Sequence, residues 1–370
     1  MSADVAPPSA QAAPKRPRRF NFVESVLWVI RVGAVLIIGL GLLGSIIKFL
    51  GGDGPSAEAW RDLVVSGLAQ GAMYGLIALG YSMVYGVLGF INFAHGEVFM
   101  SGAMVGFFAA NSLFQAGLWD ANPLLSLLIV LIVAMATSTL VAVLVERIAY
   151  RRLRNSPRLI PLITSIGVSF FLQYAFAGLF GVNIRTYPAL PPILTGRITI
   201  LGLPIETRQA LVIVVAVVSM IGLHQLVNRT KTGRALRAVA EDKEIAALMG
   251  INVDRTIVLT FAVGGAMAGI AGVLYAILFR GVFFFTGFLP GIKAFTAAVL
   301  GGIGNIQGAM FGGVLLGLFE SLGPLLILDG LGIPGVSQLR DVVAFSALVL
   351  MLMFRPSGLL GERLGSEDRA

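Results

Sequence analysis

Long apolar runs separated by short polar stretches dominate the chain from residue 22 onwards. These runs cover 22–50, 63–90, a stretch that ends at 118, 123–145, 159–182, 210–228, 257–279, 287–304, 305–328 and 342–354. A helix of about 20 apolar residues crosses the roughly 30 Å hydrocarbon core of a bilayer. The pattern therefore predicts an all-α polytopic membrane protein with about ten transmembrane helices.

The run 287–304 is short and contains Lys293, so the number of crossings depends on it. Counted as a crossing, it gives ten spans, with both termini and every strongly basic loop on one side. Counted as a re-entrant segment, it leaves an odd number and separates the basic C-terminus from the other basic loops. Because Lys and Arg accumulate in cytoplasmic loops, we favour ten crossings with both termini in the cytoplasm. A half-length helix at 287–304 stays open.

The N-terminal part differs in composition from the rest. Residues 1–21 are rich in Ala and Pro and contain the basic run KRPRR (15–19), which indicates a disordered cytoplasmic tail. The run 22–50 then predicts an extra N-terminal transmembrane helix, which we expect to pack on the lipid-facing flank. A cleaved secretory signal is the alternative, but this apolar run is longer than a signal core. The main transmembrane domain follows at 60–356, and a cytoplasmic tail at 357–370.

Three polar stretches are long enough to have structure of their own. The loop 183–208 is Pro-rich with β-like residues near 198–201, which is typical of an external loop, and the loop 146–158 is the densest basic one. The segment 229–251 is charged and favours a helix, so it lies in water beside the membrane. Its apolar residues recur at helical spacing, with a glycine where a helix would stop: Ala235, Leu236, Val239, Ala246, Ala247, Leu248 and Gly250. We predict an amphipathic helix that contacts a soluble partner.

Composition excludes several classes of function. Of the 370 residues, 57% are hydrophobic and 12% are charged, about half the charged share of a soluble domain. The chain has no Cys, and its two His, His95 and His224, are far apart, so we predict no metal site. The net charge of +8 comes from basic residues at the ends of apolar runs, which indicates membrane orientation rather than nucleic-acid binding. There is no GxxxxGK[ST] motif and no Ser-His-Asp constellation, so we predict neither an enzyme nor a cofactor in this chain.

Glycines recur at fourth positions in two runs of opposite predicted orientation. Gly67, Gly71 and Gly75 lie in the second run, and Gly265 and Gly269 lie in the seventh. Such spacing lets helices approach closely, and we predict the same packing role for Gly304, Gly308 and Gly312. Two blocks of four spans with opposite orientation would form inverted repeats. The alternative is that glycine is simply common at helix contacts.

Ionisable and polar residues within the apolar runs are candidates for a translocation path: Tyr81, Tyr85, Asn92, His95, Glu97, Lys293 and Thr296. Asn92 could cap the third span, with Glu97 in its first turn, or Glu97 could belong to a proton relay. Lys293 and Glu320 could pair with each other or lie at a partner interface. The two tyrosines line the path or belong to an aromatic belt.

Three segments carry a resemblance to a known family. GYSMVYGVLGFINFAHGEVFM (80–100), RALRAVAEDKEIAALMGINVDR (234–255) and KAFTAAVLGGIGNIQGAMFGG (293–313) strongly resemble the high-affinity branched-chain amino-acid permease of bacterial ABC importers, of the H-subunit type. The similarity extends from about residue 60 to about 361. Permeases for urea and short amides are close relatives of this family. The N-terminal tail and first span fall outside the resemblance.

The resemblance implies a type II-like architecture in the bacterial inner membrane. It also implies a homologous second permease, two cytoplasmic ATPases that hold ATP and Mg, and a periplasmic binding protein that delivers Leu, Ile or Val. The family's coupling helix matches 241–250, although Ile245 stands where the plain pattern has Ala. Residues expected to couple to the ATPase are Arg234, Arg237, Glu241, Asp242, Lys243, Glu244, Ala246, Ala247 and Gly250.

Other substrates and other classes of protein stay open at this point. Urea, short amides and other amino acids suit the same scarcity of buried charge. A self-contained secondary transporter would need a coupling-ion site, for which Glu97 and Glu320 are the deep carboxylates. A scaffold that docks some other soluble protein on 229–251 is the third class.

Overall fold

The computed structural model describes residues 22–52, 54–154, 156–157, 159–200 and 203–361. The predicted tail 1–21 and most of the predicted tail 357–370 lie outside them. The helices are α1 (Phe22–Leu50), α2 (Ala57–Leu88), α3 (His95–Gln115), α4 (Leu118–Ala121), α5 (Pro123–Val145), α6 (Leu159–Phe180), α7 (Pro192–Thr195), α8 (Thr207–Arg229), α9 (Lys231–Glu241), α10 (Lys243–Leu248), α11 (Val253–Phe279), α12 (Phe288–Gly301), α13 (Ile306–Gly323) and α14 (Arg340–Phe354).

Short irregular helices extend three of the long ones. They are the π-helical turns Glu146–Tyr150 after α5 and Pro324–Asp329 after α13, and the 3-10 turns Arg151–Leu153 and Val336–Leu339. Two small antiparallel pairs join loops: β1 (Arg185–Thr186) with β4 (Gly281–Val282), and β2 (Arg197–Ile200) with β3 (Leu203–Glu206). The predicted β-like residues near 198 are therefore a hairpin.

Nine helical segments of the described residues are long and apolar enough to cross a membrane. They correspond to the predicted runs with one exception, so the all-α multi-pass prediction is confirmed. The exception is the run 287–304, which forms α12 with 14 residues. At 1.5 Å per residue α12 is about 21 Å long, short of the ~30 Å needed for a full crossing. The helix of this run is therefore half-length, and together with the loop at 280–287 before it the run still carries the chain across the bundle.

The basic loops lie together at one end of the bundle, which we call the basic end. Arg154, in the loop after α5, forms a salt bridge with Asp254 at the start of α11. The Asn305 side chain, in the turn after α12, donates to the Leu360 carbonyl oxygen at 2.8 Å. A Cβ on Gly86, near the end of α2, would lie 3.9 Å from the Ala240 Cβ. The segments 181–200 and 203–206 and the loop 280–287 lie at the opposite end, where β1 pairs with β4 after the last residue of α11.

Two glycine-lined contacts form the centre of the bundle. A Cβ on Gly71 of α2 would lie 2.8 Å from the Gly313 carbonyl oxygen of α13, and one on Gly67 would lie 3.0 Å from Gly317. In the same way, a Cβ on Gly269 of α11 would lie 2.6 Å from the Ala134 carbonyl oxygen of α5. The first span of each predicted repeat thus packs on the third span of the other. These exchanged contacts support the prediction of inverted repeats.

The other predicted packing glycines divide into two groups. Gly308 and Gly312 of α13 have no room for a side chain, because a Cβ on either would overlap the backbone of α12. Gly304 does not lie in a helix at all, so its predicted packing role is wrong. It occupies the turn between α12 and α13 with a φ of 90°, a conformation that favours glycine.

Helix α1 is attached to the rest of the protein mainly along one narrow contact, and near its other end Arg31 donates to the Met353 carbonyl oxygen of α14 at 2.7 Å. Gly44 lies against Gly330, where a Cβ would overlap the backbone. The Ser45 hydroxyl lies 2.9 Å from the Leu326 carbonyl oxygen in the π-helical turn, and Lys48 Nζ lies 2.7 Å from the Asp329 carbonyl oxygen. A π turn leaves carbonyls without their usual partner, and α1 supplies donors to them. Most of the remaining surface of α1 is exposed and apolar.

Candidate functional site

Helix α3 begins inside the bundle rather than at its surface. A Cβ on Gly80 of α2 would overlap the imidazole ring of His95, the first residue of α3. Gly80 lies eight residues before Leu88, where α2 ends, which is about 12 Å along the helix. The segment 89–94 therefore leaves the basic end and turns back into the bundle before α3 starts.

Helix α12 enters from the opposite end and meets α3. A Cβ on Gly96 would lie 2.6 Å from the Gly287 carbonyl oxygen, and a Cβ on Gly291 would lie 2.9 Å from the Gly96 Cα. The loop before α12 is pinned by β4, which pairs with β1 through Arg185 and Val282. Two helix N-termini thus meet in the interior, and glycine is needed where their backbones touch. Interrupted helices of this kind mark substrate sites in inverted-repeat transporters.

The outer loops hold this arrangement in place. The Trp119 indole N–H donates to the Ala189 carbonyl oxygen at 2.9 Å, and the Tyr187 hydroxyl donates to the Ala103 carbonyl oxygen at 2.7 Å. Burial raises the pKa of Tyr187 above its usual value, so this hydroxyl keeps its proton and stays a donor. The loop 181–206 is therefore fastened to α3 as well as to β4.

A cavity of about 250 Å³ lies beside the two helix N-termini. This volume is several times the ~30 Å³ of a water molecule, so it can hold a small organic molecule. The residues that line it come from α2, α3, α6, α12 and the loops before α3 and α12: Tyr81, Phe93, Glu97, Ile166, Ser169, Phe170, Gly287, Phe288, Gly291 and Ile292. The α6 wall is open, because Ile166 and Phe170 are themselves exposed.

Glu97 is the one acidic residue that lines the cavity, and it is 1% exposed. Its Oε1 accepts hydrogen bonds from Gln173 Nε2 at 2.7 Å and Ser169 Oγ at 3.3 Å. Its Oε2 has no hydrogen-bond partner among the residues that the structure describes. Glu97 lies in the first turn of α3, as expected, and next to the N-terminus of α12, and helix N-termini are positions that favour acidic side chains.

Two further candidates for the path lie next to the cavity but do not line it. The His95 ring packs edge-on against Tyr81 with 4.9 Å between ring centroids, and its Nε2 has no hydrogen-bond partner. Asn92 does not cap α3, so that expectation is wrong. The residue before α3 is Ala94, without a side-chain cap, and Asn92 Oδ1 accepts a hydrogen bond from the Tyr150 hydroxyl at 2.6 Å.

The remaining candidates for the path lie away from the cavity. Tyr85 is near the basic end, with Cδ1 3.8 Å from where a Cβ on Gly304 would lie. Thr296 is buried within α12, and its hydroxyl donates to the Ile292 carbonyl oxygen. Lys293 Nζ lies 2.7 Å from Glu320 Oε1 and 2.6 Å from Asp341 Oδ1. This triad joins α12 to α13 and α14. Lys293 and Glu320 therefore pair with each other, which was the first of the two alternatives given by the sequence.

Sequence reasoning missed the α6 side of the cavity. Ser165, Ser169 and Gln173 recur at every fourth residue of an otherwise apolar run, a polar stripe that could have been found. In the structure Ser165 Oγ accepts from the Phe93 backbone N–H at 3.3 Å, so the stripe faces the turn before α3 as well as Glu97. Asp341 could not have been predicted, because nothing in its surroundings in the sequence marks it as a partner of Lys293.

The charged segment 229–251 is two helices rather than one, which corrects the prediction. Helices α9 and α10 are separated at Asp242, whose backbone is extended. The Asp242 carboxylate caps α10 by accepting hydrogen bonds from the N–H groups of Glu244 and Ile245 at 2.8 and 2.9 Å. Asp242 is thus a helix cap. Gly250 ends α10 with a φ of 81°, as its position predicted.

The segment buries one side and exposes an apolar tip. Gly233, Leu236, Val239 and Ala246 are buried against the bundle, whereas the charged residues Arg234, Arg237, Glu241 and Glu244 are exposed. Ala247 is also exposed, and Leu248 and Met249 are 86% and 77% exposed. We call Ile245, Leu248 and Met249 the apolar tip. Large apolar side chains grouped in water mark an interaction surface.

Comparison with known proteins shows which family has this sequence. The family model described as branched-chain amino acid transport system / permease component matches residues 63–354. The chain belongs to this permease family. It is 45% identical over 317 residues to the high-affinity branched-chain amino acid transport system permease protein BraD of Pseudomonas aeruginosa, over 83% of this chain and 97% of BraD. It is 42% identical over 298 residues to the corresponding protein LivH of Salmonella typhimurium, over 80% of this chain and 94% of LivH.

More distant similarities extend beyond these relatives. The permease is 28% identical over 293 residues to the probable branched-chain amino acid transport permease protein LivH of Methanocaldococcus jannaschii, over 77% of this chain and 88% of that protein. Among solved structures it aligns with PsaBC from Streptococcus pneumoniae in complex with Fab, at a TM-score of 0.43 and 16% identity over 84% of this chain and 97% of that chain.

An ion-pair cluster connects the basic end of this permease to the helix that follows α10. Arg154 forms salt bridges with Glu146, which is fully buried, and with Asp254. Arg151 forms a second salt bridge with Asp254 at 3.2 Å. The Arg154 side chain is 12% exposed, against 50% for Arg151. The cluster joins the loop after α5 to the first turn of α11.

Replacing Arg154 with Ala should destabilise the permease by about 3–5 kcal/mol, because it leaves the buried Glu146 charge without a partner. Replacing Arg151 with Ala should cost about 0–1 kcal/mol, because its pair is exposed. Thermal unfolding of the two purified variants in the same detergent would measure the difference. Equal midpoints for Arg154→Ala and Arg151→Ala would contradict the importance assigned to the buried pair.

Proposed function

We propose that this chain is the transmembrane subunit of an ATP-driven importer of branched-chain amino acids in the inner membrane of a bacterium. The observation that carries the proposal is the 45% identity to BraD over nearly the whole of that protein. The chain holds no P-loop motif, so ATP and Mg are bound by separate ATPase subunits. The chain itself is a permease and not a catalyst.

The cavity chemistry supports this class of substrate. Its walls are mostly aromatic and aliphatic, and its few polar groups lie close to Glu97. A zwitterionic amino acid with an aliphatic side chain has the same division between a polar head and an apolar tail. Tyr81 and Glu97 are the predicted path residues that contact the substrate under this proposal, and Lys293 holds the neighbouring helices.

The orientation follows from the distribution of charge. The basic end carries the arginines around 147–154 and those of the segment 229–255, and such loops remain in the cytoplasm. The loops 181–206 and 280–287 then face the periplasm, and both termini are cytoplasmic. A periplasmic binding protein would deliver the amino acid to this outer side.

The apolar tip supports an ATPase partner. It projects from the basic end on two short helices whose other side is buried against the bundle. A cytoplasmic ATPase with an apolar groove would cover Ile245, Leu248 and Met249. The predicted coupling residues Arg234, Arg237, Glu241 and Glu244 are exposed on the same two helices, while Asp242 and Gly250 cap and end α10 and Ala246 is buried beneath it.

A second permease would complete the path. The cavity is open where α6 is exposed, and a homologous subunit against α6 would close it. Movement of α9 and α10 by the ATPases would shift α11, because only the short connection at 249–252 separates α10 from α11. Since α11 contacts α2, α3 and α5, this shift would expose the cavity to either side in turn.

Reconstitution tests the proposal. Proteoliposomes that hold this chain, the homologous permease and two ATPases should take up L-leucine only when ATP is enclosed with the ATPases and the binding protein is present outside. Omission of the ATPases is the matched control and should abolish uptake. Ion-gradient-driven uptake by this chain alone would contradict the proposal in favour of a secondary transporter, and uptake of urea or acetamide without leucine would contradict the substrate.

A further inference from the structure

Glu97 has one unused acceptor beside the cavity. Both of its protein hydrogen bonds go to Oε1, and Oε2 has none although the residue is 1% exposed. Buried carboxylate oxygens normally have donors, since leaving one unmatched costs free energy. Glu97 lines the cavity together with Gly287 and Gly291, and a Cβ on Gly287 would lie 2.6 Å from Oε2. The missing donor therefore fits a ligand that enters there.

A cationic donor fits this oxygen best. Within the described part of the chain Glu97 makes no salt bridge, and the nearby Lys293 is already held by Glu320 and Asp341. Among the described residues the hydrogen-bond donors to Glu97 are two neutral groups, Gln173 Nε2 and Ser169 Oγ. Charge-assisted hydrogen bonds are about twice as strong as neutral ones, so an ammonium group would gain most from Oε2.

The other walls of the cavity restrict what the ammonium group is attached to. Five of its side chains are apolar and face the same space: Phe93, Ile166, Phe170, Phe288 and Ile292. A volume of about 250 Å³ accommodates one short branched aliphatic chain. Glycine at 287 and 291 brings the backbone of α12 close to Glu97, which confines the polar head to one end of the cavity.

We propose that Glu97 receives the α-ammonium group of the aliphatic amino acid in transit, through a hydrogen bond and ion pair to Oε2, while the apolar walls hold the branched side chain. This inference rests on the proposed function, because it assigns the substrate of that path to one site. It makes the permease itself selective for a primary amine. A branched carboxylic acid without an amine meets a like charge at Glu97 and is rejected.

Two fragments of leucine separate the amine from the acid. The first, 3-methylbutylamine, lacks the carboxylate of leucine, and the second, 4-methylpentanoate, lacks its amino group. Binding of each is measured by saturation-transfer NMR on the assembled complex in nanodiscs without the binding protein. The wild type should bind the amine and not the acid. Glu97→Gln should weaken amine binding by about tenfold or more and should no longer reject the acid.

A matched control and a second variant keep the result interpretable. Glu58→Gln removes an exposed carboxylate at the start of α2 and should leave both fragments unchanged. Because the chain has no Cys, Phe170→Cys provides a unique thiol in this subunit on the cavity wall. The amine should slow maleimide labelling of that thiol and the acid should not, a readout that does not depend on whether Glu97→Gln folds.

The outcomes distinguish this inference from the proposed function. Loss of amine binding in Glu97→Gln without any gain of acid binding would show a purely structural role and overturn the inference. Failure of the amine to bind the wild type, or to protect Phe170→Cys, would overturn it as well. ATP-dependent leucine uptake by the same wild-type preparation is measured in parallel. Uptake without amine binding refutes only the Glu97 site, whereas absence of uptake refutes the importer.

Discussion

Replacing Leu248 with Asp should abolish ATP-dependent uptake while leaving the permease folded. Leu248 is 86% exposed at the end of α10 and touches little of its own chain, so the substitution has small consequences for folding. In the assembled importer it would place a charge in an apolar contact. A central contact residue typically contributes about 2 kcal/mol or more to docking, so the affinity of the ATPase should fall by roughly 30-fold or more.

The measurement is co-purification of the ATPase with the permease, together with ATPase activity stimulated by the binding protein. Thr232→Asp is the matched control, because it adds the same charge to an exposed position of the same segment, on α9 and away from the apolar tip. This control should retain both signals. Full coupling in Leu248→Asp would show that the tip is not the docking surface and would leave the charged residues around it as candidates.

Replacing Gly71 with Leu should prevent the permease from folding. A Cβ at this position would already lie 2.8 Å from backbone atoms of Gly313 and Val314, and backbone cannot move aside as a flexible side chain can. Helices α2 and α13 would have to separate along a contact made of small residues. Overpacking of this kind costs at least about 1–3 kcal/mol and more when backbones must shift.

Gly222→Leu is the matched control for Gly71→Leu. Gly222 lies in the middle of α8 with no atom near its Cβ position, so a leucine there extends into open space. The yield of monodisperse protein in size-exclusion chromatography should collapse for Gly71→Leu and stay at the wild-type level for Gly222→Leu. Similar yields for the two variants would mean that the backbones of α2 and α13 can separate at Gly71 without loss of the fold.

Hydropathy predicted the long spans because membrane crossing imposes one requirement on every residue in a run. Helices such as α2 and α11 therefore appear where the apolar runs predict them. Glycine spacing also gave a correct prediction for Gly71 and Gly269, because close approach of two backbones leaves few residue types to choose from. Long apolar spans and regularly spaced glycines depend on neighbouring residues, so they can be found in a single sequence.

The depth at which a helix begins within the bundle and the partners of the charged side chains were harder to predict. Nothing in the run of residues after Leu88 shows that α3 begins about 12 Å inside the bundle, because this depends on the fit of Gly96 against Gly287. Likewise the break at Asp242 has no glycine or proline to mark it, and a single side-chain cap decides it. The partners of Lys293 and Arg154 lie on helices that are distant in the sequence, so a local sequence pattern cannot predict them.

The attachment of α1 has a consequence for biogenesis. The Ser45 hydroxyl meets carbonyls that lie 280 and 281 residues later in the chain, and at 5–20 residues per second a ribosome needs roughly 15–60 s to synthesise that interval. During this time α1 is already inserted in lipid while its docking turn has yet to be made. Helix α1 is thus made long before its docking turn exists, and Ser45 and Lys48 gain these carbonyl partners only after residues 325–329 have been synthesised.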